Sequence, residues 1–244
     1  NPSQFVTDPG DAVQSGIERI ARYLLGTASE GLRLYGTKGE VQLNIASDAD
    51  DAGASHRRSM LCYVCWIGPP LSDKTGSARR AFFQWNNQWG IVVACGSMES
   101  EIYAIHAAVK GTASFRGLLG EIGLHTGKAT RIAVDSASAK IVLQGEHSEK
   151  LSTGVKHIDR RVLNVRQTIA AKVYALDWVA SEENPSDMGA TFKSKVEFQR
   201  LRAIIMGYVF PRSACSYLRD TEEPSHWSKR TNTPSPATVA GQVE

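Results

Sequence analysis

Four acidic residues stand at positions where a folded chain can gather them. Asp48 closes an extended stretch in SDADDAG (47–53), and Glu101 opens a long helical pattern in SMESEIYAI (97–105). Asp135 ends a second extended stretch in IAVDSASA (132–139), and Asp187 opens the last helical pattern in ENPSDMGATFKSK (183–195). Strand ends and helix starts meet at the carboxyl edge of an α/β sheet, where such proteins keep their sites. Carboxylates collected there repel one another unless cations neutralise them. Hard oxygen donors suit magnesium or manganese, and two such ions about 4 Å apart clamp an in-line displacement at a phosphodiester. Taken singly, each acid also reads as a surface residue or a helix cap, because Asp and Glu favour helix N-termini. The order of the four along the elements is what makes them a set.

Each of two acids has an acidic neighbour two residues away. Asp50 follows Asp48 on the same strand face, and Glu99 precedes Glu101. Asp48 is favoured because it ends the regular alternation. Glu101 is favoured because Ile102, Ile105 and Val109 then pack inward while it points across the sheet end. Asp50 and Glu99 are expected to be solvated neighbours, with Asp50 able to assist at the rim.

Positive charge is concentrated elsewhere. Lys156, Arg160, Arg161, Arg166 and Lys172 face a single acid, Asp159, between residues 152 and 172. Lys156 and Arg160 are four apart and share a helix face, a stripe that suits phosphate contacts or an ordinary solvated face. His157 reads either as a contact near the scissile region or as a packed or capping histidine. Trp85 and Trp89 flank amides that can contact sugars and bases, although core packing is the commoner use of tryptophan. Cys62 and Cys65 sit in an extended stretch, point to opposite faces and lack the second pair that zinc needs, so they read as core. No Gly-x-Ser-x-Gly elbow supports a serine nucleophile.

The elements that must position these residues follow from periodicity. Ile17, Ile20, Ala21 and Leu24 form one stripe of a helix over 14–26, stopped by Gly26, with a hairpin-like stretch at Leu32, Leu34 and Tyr35. From Val41 the period becomes two, and Val41, Leu43 and Ile45 predict a half-buried strand. Strands are expected over 59–67 and 80–85, an extended piece over 91–94, and a helix over about 99–122. A strand over 130–135, a helix over 137–143, a helix carrying Ile158, Val162, Val165 and Ile169, a strand over 173–179 and a helix over 186–206 complete the order. Three strands followed by alternating helices and strands predict an α/β sheet with an antiparallel start and parallel crossovers.

Composition bounds the classes. The chain has 244 residues, 42% hydrophobic and 22% charged, which supports a packed core. The apolar run through Leu61 to Ile67 is far short of a membrane span, and no secretory signal is visible. Four cysteines make no disulfide framework at this length. A soluble, intracellular, globular protein is therefore expected. The net charge of +3 does not by itself indicate nucleic-acid binding. The first residue is Asn1, which suggests a fragment or processed product. Residues 220–244 are rich in Pro, Ser and Thr and read as a disordered tail.

From about residue 10 to 210 the chain resembles the end of a copia-type (Ty1/copia) retrotransposon Pol polyprotein. IERIARYLLGT (17–27) is similar to the helix joining reverse transcriptase to ribonuclease H in that family. SDADDAG, SMESEIYAI, VDSASA (134–139) and ENPSDMGATFKSK resemble its four acidic motifs, and VKHIDRRVLNVRQ (155–167) its Lys-His-Ile-Asp motif. The resemblance implies a ribonuclease H-like fold with a five-stranded mixed sheet. It implies Asp48, Glu101, Asp135 and Asp187 as catalytic, metal-binding acids for two Mg2+ ions, with Mn2+ an alternative, and Lys156, His157, Arg160 and Arg161 on nucleic acid. It further implies hydrolysis of the RNA strand of RNA–DNA hybrids to 5′-phosphate and 3′-hydroxyl ends. The implied partner is the reverse transcriptase of the same polyprotein, in the cytoplasm or a retrotransposon particle and without a membrane. The domains expected are a connection remnant (1–36), the ribonuclease H domain (37–210) and the tail (211–244). Asp51 in place of the family's Trp, Ser136-Ala137-Ser138 in place of Asn-Gln-Ser, and Phe192-Lys193-Ser194-Lys195 at the close are departures. The altered third and closing motifs support an alternative reading, a degenerate module that binds nucleic acid or protein without turnover. A related nuclease or integrase is a third.

Overall fold

The computed structural model describes residues 10–34, 42–50, 57–73, 80–124, 127–145 and 156–207, with backbone only at 12 and 156–159. The expected tail, Val41 and Asp51 lie outside the described residues. The elements run α1 (Asp11–Gly26), β1 (Leu43–Ala49), β2 (Met60–Ile67), β3 (Ala81–Trp89), α2 (Ser97–Glu121), β4 (Thr130–Val134), α3 (Ala137–Gln144), α4 (Lys156–Ala170) and β5 (Tyr174–Trp178). A 3-10 turn (Ser181–Glu183), the single turn α5 (Asp187–Ala190) and α6 (Lys195–Ile205) follow. Five strands form one sheet in the order β3-β2-β1-β4-β5. The pairs β1–β2 and β2–β3 are antiparallel, and β1–β4 and β4–β5 are parallel.

The central strand departs from expectation. Its period-two pattern predicts one solvated face, yet residues 43–48 are buried on both. Ile45 packs with Ile102, Ile105, Ile132, Val134, Val162 and Val165, which brings α2 and α4 onto one side of the sheet. Ala46 packs on the other side with Trp66, Phe82, Ala133 and Val179, against Ile204 and Ile205 of α6. Fully burying each large aliphatic side chain contributes about 1.5–3 kcal/mol. The polar Asn44 survives at the centre because its amide donates to the Gly68 carbonyl at 2.7 Å.

Other boundaries moved for identifiable reasons. β3 runs on to Trp89, which pairs with Met60, so it keeps pace with the whole of β2. Residues 91–96 then turn instead of forming an extended piece. The expected closing helix is broken after Ala190, and α6 restarts on a capping box in which Ser194 and Glu197 satisfy each other's backbone N–H groups. Residues 30–34 form no hairpin strand. The Ile17, Ile20 and Leu24 stripe of α1 is largely exposed; the helix instead meets α6 through the edge-to-face pair Tyr23–Phe198, and Glu30, just beyond the helix, pairs with Arg202. Among the described residues no helix is long and apolar enough to cross a membrane.

Helix α2 crosses β2 at a close approach permitted by glycine. A Cβ at position 111 would lie 2.6 Å from Cζ of the buried Tyr63 ring. Alanine normally favours a helix interior over glycine by about 1 kcal/mol, but here overpacking costs about 1–3 kcal/mol. Gly111→Ala is therefore expected to lower stability in chemical denaturation, and an unchanged or higher midpoint would contradict this packing.

Candidate metal centre

The parallel pairing of β1 with β4 sets two of the acids side by side. Ala46 lies opposite Ala133, and two residues further along each chain Asp48 and Asp135 emerge on the same sheet face. The third acid comes from the start of α2. Ile102, Ile105 and Val109 anchor that helix against the sheet, as expected, and Glu101 projects across the sheet end. Ligand oxygens of Asp48, Glu101 and Asp135 all lie within 4.8 Å of one another.

Burial and mutual repulsion hold protons on this cluster. Asp48 is 4% exposed, and burial, then Glu101, Asp135 and Asp187, push its carboxyl up to about 9. Glu101 is pushed up to about 8 by burial and then by Asp135, partly countered by hydrogen bonds from Asp48 and the Ala49 backbone. One oxygen of Glu101, Oε2, is buried with no hydrogen-bond partner among the described residues. An all-oxygen donor set with an orphaned buried carboxylate oxygen fits a hard divalent cation.

Asp187 lies beside this group but outside the close three. It is 6% exposed, and its Oδ2 is ion-paired with Lys193 and accepts from Ser181 Oγ at 3.4 Å. The turn carrying it is seated by residues that periodicity did not single out. Asn184 is fully buried; its amide donates to the Ser47 carbonyl at 3.1 Å, and its Oδ1 accepts from the Ser186 backbone at 3.2 Å. A Cβ at Gly189 would lie 2.5 Å from Cys62 Sγ, and Asn87 donates to the Gly189 carbonyl at 2.9 Å. Cys62 is core, as read, but it backs the acidic cluster: burial and then Asp48 push its thiol up to about 12.

The neighbouring acids found other work. Asp50 accepts the Met60 backbone N–H and so closes the β1–β2 pair. Glu99, expected to be solvated, is 3% exposed: it accepts the Cys95 backbone N–H at 2.7 Å and the Tyr103 hydroxyl. It thereby ties the residue before the N-cap Gly96, which offers no side-chain cap, to the first turn of α2. Arg161 lies with its guanidinium 4.1 Å from the Tyr103 ring centroid and docks α4 on α2. Arg160 is exposed, and the side chains of Lys156 and His157 lie outside the described residues. Trp178, half exposed, donates its indole N–H to the Asp135 carbonyl at 3.1 Å, a contact without a sequence signal. Trp85 is exposed, and among the described residues the buried tryptophan is Trp66.

A mixed sheet in the order 3-2-1-4-5, covered by helices and carrying its acids at the carboxyl ends of β1 and β4, is a ribonuclease H-like fold. In sequence the chain resembles a retrotransposon Pol polyprotein. It is 25% identical over 207 residues, 83% of its length, to the retrovirus-related Pol polyprotein from transposon TNT 1-94 of Nicotiana tabacum. It spans 14% of that polyprotein's length. No protein-family model matches the chain. Among solved structures it is similar to RNase H1 from the halophilic archaeon Halobacterium salinarum, with 13% identity, 61% of this chain and 94% of that one covered, and a TM-score of 0.41. The prototype foamy virus protease-reverse transcriptase is 10% identical, with 72% and 22% covered and a TM-score of 0.36.

The raised carboxyls set a pH dependence. Between the ordinary carboxylate range near 4 and the folded values of about 8 and 9, the native state holds protons that the unfolded chain has released. Stability of metal-free protein therefore falls as pH rises through this window. Melting curves in a chelator should show Tm decreasing from about pH 5 to pH 9, with magnesium flattening the slope. Asp48→Asn should raise the metal-free Tm at alkaline pH by roughly 2–4 °C. A Tm that climbs over the same interval would contradict the clustering.

Proposed function

We propose that the chain is a metal-dependent ribonuclease H that hydrolyses the RNA strand of RNA–DNA hybrids as part of a retrotransposon Pol polyprotein. The convergence of Asp48, Glu101 and Asp135 within 4.8 Å, with Asp187 alongside, carries this reading. The sequence likeness to a Pol polyprotein supports the context. Asp48, Glu101, Asp135 and Asp187 would hold Mg2+, or Mn2+ in its place, in two positions. Bound there, the ions would supply a positive field for an attacking water and a departing 3′-oxygen.

The protein's own part is to keep four acids aligned. The parallel β1–β4 ladder fixes Asp48 against Asp135, the α2 packing fixes Glu101, and the Asn184 and Gly189 contacts seat Asp187. Lys156, His157, Arg160 and Arg161 are proposed to meet the hybrid's backbone, with the 2′-hydroxyl marking the RNA strand. The reverse transcriptase of the same polyprotein is the proposed partner.

A labelled hybrid should be cut in magnesium and left intact in a chelator, while duplex DNA and single strands persist. Asp135→Asn should lower the rate by roughly 10²–10³-fold. Hybrid binding without turnover by the unmutated chain, or cleavage unchanged by Asp135→Asn, contradicts the proposal. Arg160→Ala should weaken hybrid binding irrespective of sequence and reduce the salt slope by about 1; an unaltered slope would remove Arg160 from the interface.

A further inference from the structure

The fourth carboxylate has a cation of its own. Lys193 Nζ is paired with Asp187 Oδ2, and the two side chains are only 15% and 9% exposed. Lys193 is held in place from the chain on both sides. Behind it, α5 is seated on β2 and β3 through Gly189 and Asn87. Ahead of it, Ser194 starts α6 in a reciprocal capping box with Glu197. The adjoining Phe192 is fully exposed, so the chain between the two seats turns lysine inward and phenylalanine outward. A lysine exposed to water would gain little from an ion pair; one enclosed beside a nearly buried carboxylate is its counter-ion.

We propose that Lys193 is a tethered counter-ion that occupies Asp187 and must be displaced before a second divalent cation can use that carboxylate. This rests on the metal-centre reading above. The two cation positions are then unequal by construction. The close three, Asp48, Glu101 and Asp135, hold no lysine or arginine pair among the described ion pairs and receive the first ion unopposed. Asp187 receives the second only in competition with an ammonium group whose local concentration is fixed by the chain. A compact ammonium on a four-carbon stem can withdraw without disturbing the turn that carries it.

Calorimetric titration of the full chain with Mn2+, and separately with Mg2+, tests this. Unmutated protein should bind in two steps, the second weaker. Lys193→Met, which keeps the stem and removes the charge, should strengthen the second step by roughly tenfold and leave the first unchanged. Lys193→Arg should retain the weak second step, and Lys193→Gln provides a second neutral variant should methionine impair folding. A single step in the unmutated protein that becomes two in Lys193→Met would support the proposal equally. Identical isotherms, or a second step weakened by loss of the charge, would overturn the role of Lys193 while leaving the metal centre standing. No binding by any of the proteins would overturn both.

Discussion

Three carboxylates whose oxygens fall within 4.8 Å of one another cannot all be ionised in a buried site without opposing charge. In this protein that repulsion is imposed by the sheet. A parallel ladder between β1 and β4 delivers Asp48 and Asp135 to the same face at the same height, and the anchored start of α2 adds Glu101. The protons retained by Asp48 and Glu101 into the alkaline range are the metal-free response to this arrangement. The hydrophobic packing on both sides of β1 is what makes the arrangement tenable, because it holds in place a cluster that would otherwise spread apart.

The same constraint accounts for details that look unrelated. Glu99 is engaged by the Cys95 amide and the Tyr103 hydroxyl, where another free carboxylate would add to the repulsion. Asp50 is likewise consumed by the Met60 amide. Asp187 is kept near by a short turn seated through Asn184, Gly189 and Asn87, and its charge is met by Lys193. Asp50, Glu99 and Asp187, the acids that neighbour the close three, each have a specific partner.

Much of this was legible in the chain. The order of strands and helices, the four acids at element ends, and the choice of Glu101 over Glu99 all follow from periodicity joined to the inward packing of Ile102, Ile105 and Val109. What periodicity missed lies partly in tertiary contacts and partly in local signals that the helix and strand patterns mask. The central strand alternates because Asn44 and Asp48 are polar for special reasons, so the pattern read as half-buried although helices cover both faces. The break before α6 carried a local signal, Ser194 three residues before Glu197, that a continuous helical reading passed over. Glu99 reads as solvated from its charge, although its i,i+4 spacing to Tyr103 and its position four residues after Cys95 are what let it accept from both. The Lys193–Asp187 pair was visible only as a departure from a motif, since its meaning depends on the burial of both groups. Lys156 and His157 stand apart: their place in the proposed interface follows from composition and from the resemblance alone.

The acidic cluster is proposed to be a divalent-cation site. Its most direct measurement is anomalous diffraction at the manganese edge from crystals of the chain grown with Mn2+. An anomalous peak coordinated by Asp48, Glu101 and Asp135 is expected. Diffraction from manganese-saturated crystals with no peak there, or with manganese bound only elsewhere on the chain, would contradict it.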